Sequence, residues 1–134
     1  MNIKDTLTQA AKALESISET PSLDARVLLC EAIGKDPLYL ITHPGEDISR
    51  EISERFDTML KKRLESMPVA YIIGRKEFMG MDFFVDERVL IPRADTEILA
   101  EKAIELIGEK KASVLDMCCG SGCIGLPASK KKIM

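Results

Sequence analysis

Between Asp116 and Gly122 the chain reads Asp-Met-Cys-Cys-Gly-Ser-Gly, an acid followed by a small-residue turn. Ser113–Met117 is apolar and β-prone apart from that acid, and a helix is expected from about Cys123, so the stretch predicts strand, tight loop and helix start. Such a loop lets backbone N–H groups approach a ligand closely. Two registers compete. Gly120, Gly122 and Gly125 fit G-x-G-x-x-G, in which a pyrophosphate rests on the helix N-terminus. Read from Asp116, the spacing is acid-x-Cys118-x-Gly120-x-Gly122, an acid-x-G-x-G-x-G pattern with a thiol in the first glycine's place. An acid at the strand end repels a pyrophosphate but pairs with an ammonium group, so charge favours the second register and a ligand carrying a cationic amine. The candidate ligand-binding residues are Asp116, Cys118, Cys119, Gly120, Ser121 and Gly122.

Three of the four cysteines, Cys118, Cys119 and Cys123, crowd into six residues, and Cys30 stands apart. A structural zinc site needs ligand pairs at two separated places, and the single histidine, His43, is remote in sequence, so no metal site is assigned. The thiols read as small side chains kept reduced.

The elements that must position this loop begin at Pro68. Arg75–Phe78 and Phe83–Val85 are β-prone runs separated by Met79, Gly80, Met81 and Asp82, which predicts a hairpin. Pro92 forces Ile91 into an extended conformation and cannot donate to a ladder, so a strand reaching Leu90 must end there. Asp95 can cap a helix over residues near 95–108 with Ile98, Leu99, Ala103, Leu106 and Ile107 on its apolar face. Gly108 and the Lys110-Lys111 pair should end it.

Gly74, Glu77, Phe78, Gly80, Phe83 and Val85, followed by Val89, Leu90, Ile91, Pro92, Arg93, Thr96 and Glu97, make a pattern that resembles the bacterial release-factor glutamine methyltransferases of the HemK/PrmC type. The Asp116–Gly122 loop is similar to the donor loop of S-adenosylmethionine-dependent methyltransferases. The resemblance runs to about Gly125. It implies S-adenosyl-L-methionine as cofactor, methylation of a glutamine side-chain amide as reaction, a class 1 peptide-chain release factor as protein partner, and a role in translation termination.

The N-terminal part reads as helices. Ile3, Leu7, Ala10, Ala11, Leu14 and Ile17 share one face over residues near 3–17, with Asn2 as cap. Thr20-Pro21 opens a second helix carrying Leu23, Val27, Leu28 and Ile33, which Gly34 stops. Asp36-Pro37 opens a short third, closed by Pro44-Gly45. A fourth, near 48–66, carries Ile52, Phe56, Met59, Leu60 and Leu64, with Lys61, Lys62 and Arg63 as exposed cations favoured by the helix C-terminus. These predict a bundle over residues 1–66, a β-hairpin linker over 67–93, and over 94–134 the first element of an α/β Rossmann-like class I methyltransferase domain. The resemblance implies that the bundle recognises the protein substrate.

A composition of 46% hydrophobic and 31% charged residues is that of a folded soluble chain, and a net charge of −3 argues against phosphate-mediated nucleic-acid binding. No membrane span or signal peptide is visible, so a cytoplasmic protein is expected. The C-terminal end departs from the family's pattern: Pro127 should interrupt the helix after the loop, and the basic run to Met134 looks unrelated to the fold. The sequence has no Asn-Pro, Asn2 being its single asparagine, so the Asn-Pro-Pro-Tyr loop with which the family holds the glutamine amide is missing, as is the expected ribose-binding acid. The reading is therefore a truncated enzyme, inactive alone, with no catalytic residue assigned and with the unpaired strand Val114–Met117 free to pair across a homodimer. Two other classes stay open: a protein-binding helical module without catalysis, and a fragment of a nucleic-acid adenine methyltransferase, which shares the donor loop.

Overall fold

The computed structural model describes residues 1–109 and 111–133. The chain divides into two compact units, Met1–Ile73 and Gly74–Met134. The first contains α1 (Ile3–Leu14), α2 (Pro21–Ile33), α3 (Pro37–Thr42), α4 (Arg50–Leu64) and α5 (Val69–Ile73). The second contains β1 (Arg75–Phe78), β2 (Met81–Phe84), α6 (Thr96–Ile107) and α7 (Gly125–Ile133).

Each helix start in the bundle has a chemical reason. The Asn2 side chain accepts a hydrogen bond from the Asp5 N–H at 2.8 Å, and two further N–H groups of the first turn of α1, those of Ile3 and Lys4, donate to the Glu46 and Pro44 carbonyls. Asp36 caps α3 through the Tyr39 N–H, and Ser49 caps α4 through the Ile52 N–H. At the other end of α4 the Met67 N–H reaches the Lys62 carbonyl and the Ser66 N–H the Arg63 carbonyl, with Ser66 left-handed at φ 69°.

The core is built on α2, which touches α1, α3, α4 and α5. Ile3, Ala10 and Leu14 from α1 meet Ala25, Leu28, Leu29 and Ala32 from α2, with Leu40 and Phe56 closing the cluster. The α1 stripe is as its spacing predicts. The α2 face is not: Leu23, expected inside, is 53% exposed, whereas Asp24 is only 8% exposed. The reason is an ion pair. Asp24 accepts hydrogen bonds from Ser18 Oγ at 2.6 Å, Thr20 Oγ1 at 3.3 Å and Arg63 Nε at 2.9 Å, so its charge is compensated as it enters the interior. Arg63 is correspondingly a part-buried partner of α2 rather than an exposed cation, and Thr20 spends its hydroxyl on Asp24 rather than as the expected cap.

Helix α5 lies where the sequence predicts the start of a linker. Pro68 opens it, its carbonyl accepting from the Tyr71 and Ile72 N–H groups, and Val69, Ile72 and Ile73 pack on the bundle core. Five residues are too few for periodicity to register against the hairpin signal that follows.

In the second unit the hairpin is tighter than expected. Phe78 pairs with Met81, leaving Met79 and Gly80 as a two-residue loop at φ 53° and 71°, the twist-matched turn of a short hairpin. Lys76, Phe78, Met81 and Phe83 share one face, on which Phe78 and Phe83 meet edge to face at 6.3 Å over the buried Ala100 of α6. Glu97 ties the two elements, its Oε1 accepting the Met79 N–H at 3.0 Å. Among the described residues, Val89–Ile91 form no strand; Glu87 and Arg88 form a turn just before them, closed by the Val89 N–H on the Asp86 carbonyl, and Pro92 is buried. The expected apolar face of α6 is also displaced. Ile98, Leu99 and Leu106 are exposed and Ala100 is the buried residue, because the small alanine side chain is what the two phenyl rings admit. Asp95 occupies the cap position of α6 without a capping hydrogen bond. Lys110, expected to help end α6, and Met134 lie outside the described residues; Gly108 does stand at the C-cap.

Removing one partner of a buried pair strands the other charge. Arg63→Ala should therefore cost the first unit about 3 kcal/mol in urea unfolding, whereas Lys62→Ala should change it by less than about 0.5 kcal/mol. Equal costs for the two variants would contradict the assignment.

Candidate functional site

The region between α6 and α7 holds all six candidate residues. The expected strand over Ser113–Met117 is not there: these residues have no regular structure, and Val114, Leu115 and Met117 are exposed. An isolated β-segment cannot satisfy its own backbone groups, and among the described residues the two hairpin strands are the only ones. The described residues of 94–134 accordingly form a helix, a loop and a helix, and the Rossmann-like element expected there is not seen.

Asp116 is held from the far side of the loop. Its Oδ2 accepts a hydrogen bond from the Gly125 N–H at 3.1 Å, nine residues on, at the first residue of α7. A carboxylate there satisfies an orphan donor and sits at the positive end of the helix. Gly125 permits the approach, since a Cβ on it would stand 3.0 Å from Asp116 Oδ2. Helix α7 therefore begins at Gly125 rather than Cys123. That shift places Pro127 third in the helix, where its missing N–H would be unpaired anyway, so it does not interrupt α7 and the following basic residues through Ile133 are helical.

The intervening residues turn tightly. The Gly122 N–H donates to the Cys119 carbonyl at 2.9 Å, and Gly120 and Gly122 are left-handed at φ 57° and 81°. Cys118 is left-handed as well, at φ 55°. The register read from sequence places a glycine at that position, and the backbone adopts the conformation a glycine would tolerate best.

A cavity of about 280 Å³ opens beside the loop, lined by Ile107, Ala112, Val114, Asp116, Gly125, Ala128 and Ser129. Asp116 is the single candidate residue that lines it; Cys118, Cys119, Gly120, Ser121 and Gly122 form the turn to one side. Ala128 and Ser129, on α7, were beyond reach of sequence reasoning because Pro127 argued against a helix there. Among the described residues no cluster of His, Cys, Asp and Glu could hold a metal ion, and no helix is long and apolar enough to cross a membrane.

Comparison with known proteins identifies the bundle. Residues 5–74, just over half of the chain, match the family model of the PrmC N-terminal domain. The chain belongs to the PrmC family. The match ends one residue beyond the compact unit Met1–Ile73 and so includes α5. The chain is also similar, beyond that domain, to proteins named release factor glutamine methyltransferase. It is 41% identical over 130 residues to one from Shewanella oneidensis, covering 97% of this chain and 46% of the relative. To one from Clostridium botulinum it is 40% identical over 128 residues, covering 94% and 45%. To one from Koribacter versatilis it is 39% identical over 134 residues, covering 98% and 48%. The chain thus spans about half the length of the curated relatives it matches.

Relief of the left-handed strain at Cys118 is worth about 1 kcal/mol, and a glycine's extra freedom in the unfolded chain returns roughly half of that. Cys118→Gly should therefore raise hydrogen-exchange protection of α6 by an amount equivalent to about 0.5 kcal/mol. Lower protection in the variant would show that the thiol makes a compensating contact.

Proposed function

We propose that this chain forms the substrate-docking bundle and the methyl-donor loop of an S-adenosylmethionine-dependent enzyme that methylates the glutamine side-chain amide of a class 1 peptide-chain release factor in the cytoplasm. The observation that carries this reading is the similarity, over more than nine-tenths of the chain, to relatives whose name states that reaction. The alternatives of a non-catalytic binding module and a nucleic-acid adenine methyltransferase have no such support.

The residues of the second unit suit one end of the donor. S-adenosylmethionine supplies the methyl group when bound. Asp116, fixed through Oδ2, offers Oδ1 to an ammonium group, and Cys118–Gly122 present backbone beside it. The cavity, at about 280 Å³, lies just below the roughly 300–1,000 Å³ usual for ligand sites, which suits the amino-acid end of the donor rather than the whole molecule. The acceptor sets the harder requirement, because an amide nitrogen has a delocalised lone pair and must be held in line with the methyl carbon. No catalytic residue is assigned among these 134, which lack an Asn-Pro sequence. Self-association belongs to the same reading, the exposed Val114, Leu115 and Met117 being where two copies would meet.

Two assays test the proposal. The immobilised chain should retain a class 1 release factor and not an adenine-containing DNA duplex. Mixed with that factor and labelled S-adenosylmethionine, it should transfer no label above a no-enzyme control. Retention of DNA but not of the factor would overturn the assignment of substrate, and transfer of label would overturn the assignment of no catalytic group.

A further inference from the structure

Cys118, Cys119 and Cys123 are free thiols within one short turn, and the donor-loop reading uses their backbone but not their sulfur. Cys118 and Cys119 are exposed. Cys123 is half-buried against Phe78, Phe83 and Ala100. The hydrogen bond from the Gly122 N–H to the Cys119 carbonyl folds the chain back on itself, so that Cys119 and Cys123 flank the turn. A turn of this kind brings its end residues, here Cys119 and Gly122, within about 7 Å, Cys123 follows directly, and a disulfide spans Cα atoms roughly 4.4–6.8 Å apart. Gly120 and Gly122, both in left-handed conformations, give the backbone between the two thiols the freedom to close the remaining distance. Cys118 points to a different outcome: it is adjacent in sequence to Cys119, and a planar trans peptide between neighbouring cysteines resists a ring that small.

We propose that the Cys119–Cys123 turn is a dithiol redox site, which closes to an intraloop disulfide in the presence of a low-molecular-weight disulfide such as oxidised glutathione. The Cys119 thiolate attacks one sulfur of the oxidant, breaking its S–S bond and releasing one glutathione, which takes up the proton given up by Cys119. The Cys123 thiolate then attacks the Cys119 sulfur of the mixed disulfide. The second glutathione leaves with the Cys123 proton, so two protein thiols are oxidised and one glutathione disulfide becomes two glutathione thiols. The exposed Cys119 is the attacking group because access governs the first step, and the half-buried Cys123, less open to the bulky oxidant, is the resolving group. Cys30 is a poor competitor, its thiol pushed up chiefly by burial and further by Asp36. The regulatory consequence, and it alone, rests on the reading of this turn as the donor loop: the disulfide fixes a backbone that must adjust to the ligand.

The test is mass spectrometry of the whole 134-residue chain after incubation with oxidised glutathione. The protein should lose the mass of two hydrogen atoms, free thiols should fall from four to two, and peptide mapping should place the bond between Cys119 and Cys123. Cys118→Ser should still form it, whereas Cys123→Ser should stop at a glutathione adduct on Cys119 and Cys119→Ser should leave Cys123 as a free thiol. A stable adduct on the unsubstituted chain, a bond involving Cys118, or no change of mass would overturn the proposal. Repeating the reaction with S-adenosylmethionine at millimolar concentration separates the two claims. Slower closure supports a donor on the turn, while closure at an unchanged rate leaves the disulfide established and counts against the donor reading alone.

Discussion

A helix can start only where something takes the N–H groups of its first turn, and that requirement shapes both units of this chain. In the bundle it is met locally by Asn2, Asp36 and Ser49, and for α1 also by carbonyls of the Pro44–Glu46 segment. In the second unit Asp116 reaches across nine residues to the Gly125 N–H, and the loop between them closes as a consequence. The acid assigned to the donor is thus also the residue that begins α7. One carboxylate oxygen organises the loop, and on the proposed reading the other meets the ligand, which would tie the loop's shape to its affinity for a cation.

The methyltransferase-like sequence pattern acquires physical content in the same way. Phe78, Phe83 and Val85 are buried, Gly80 supplies half of a left-handed turn, and Glu97 receives the N–H of Met79 from that turn. The two blocks of the pattern, hairpin and helix start, are therefore joined by the hydrogen bond from Met79 to Glu97 and by the packing of Phe78 and Phe83 on Ala100. These residues hold the scaffold beside the loop; none of them lines the cavity near Asp116.

Much of this was legible in the sequence. Capping residues and apolar spacing located α1 to α4 closely, and the glycine turn and Pro92 located the hairpin and the start of α6. Helix α5 was too short to register, and three other features were not legible because a distant partner decides each. Asp24 is buried because Arg63, 39 residues away, compensates it, and this turns α2 so that Leu23 faces out. Ser113–Met117 has strand propensity but no neighbouring strand among the described residues. Pro127 breaks a helix that begins at Cys123 and is tolerated in one that begins at Gly125, and the hydrogen bond that the Gly125 N–H donates to Asp116 sets the difference.

The central claim, that the Asp116 loop is a rudimentary methyl-donor site, is tested most directly by titration calorimetry of S-adenosylmethionine into the chain and its Asp116→Ala variant. Without strands to preorganise the loop, the account predicts a dissociation constant near 1 mM, about 4 kcal/mol, and no detectable binding to the variant. Binding of equal strength to both proteins would contradict it.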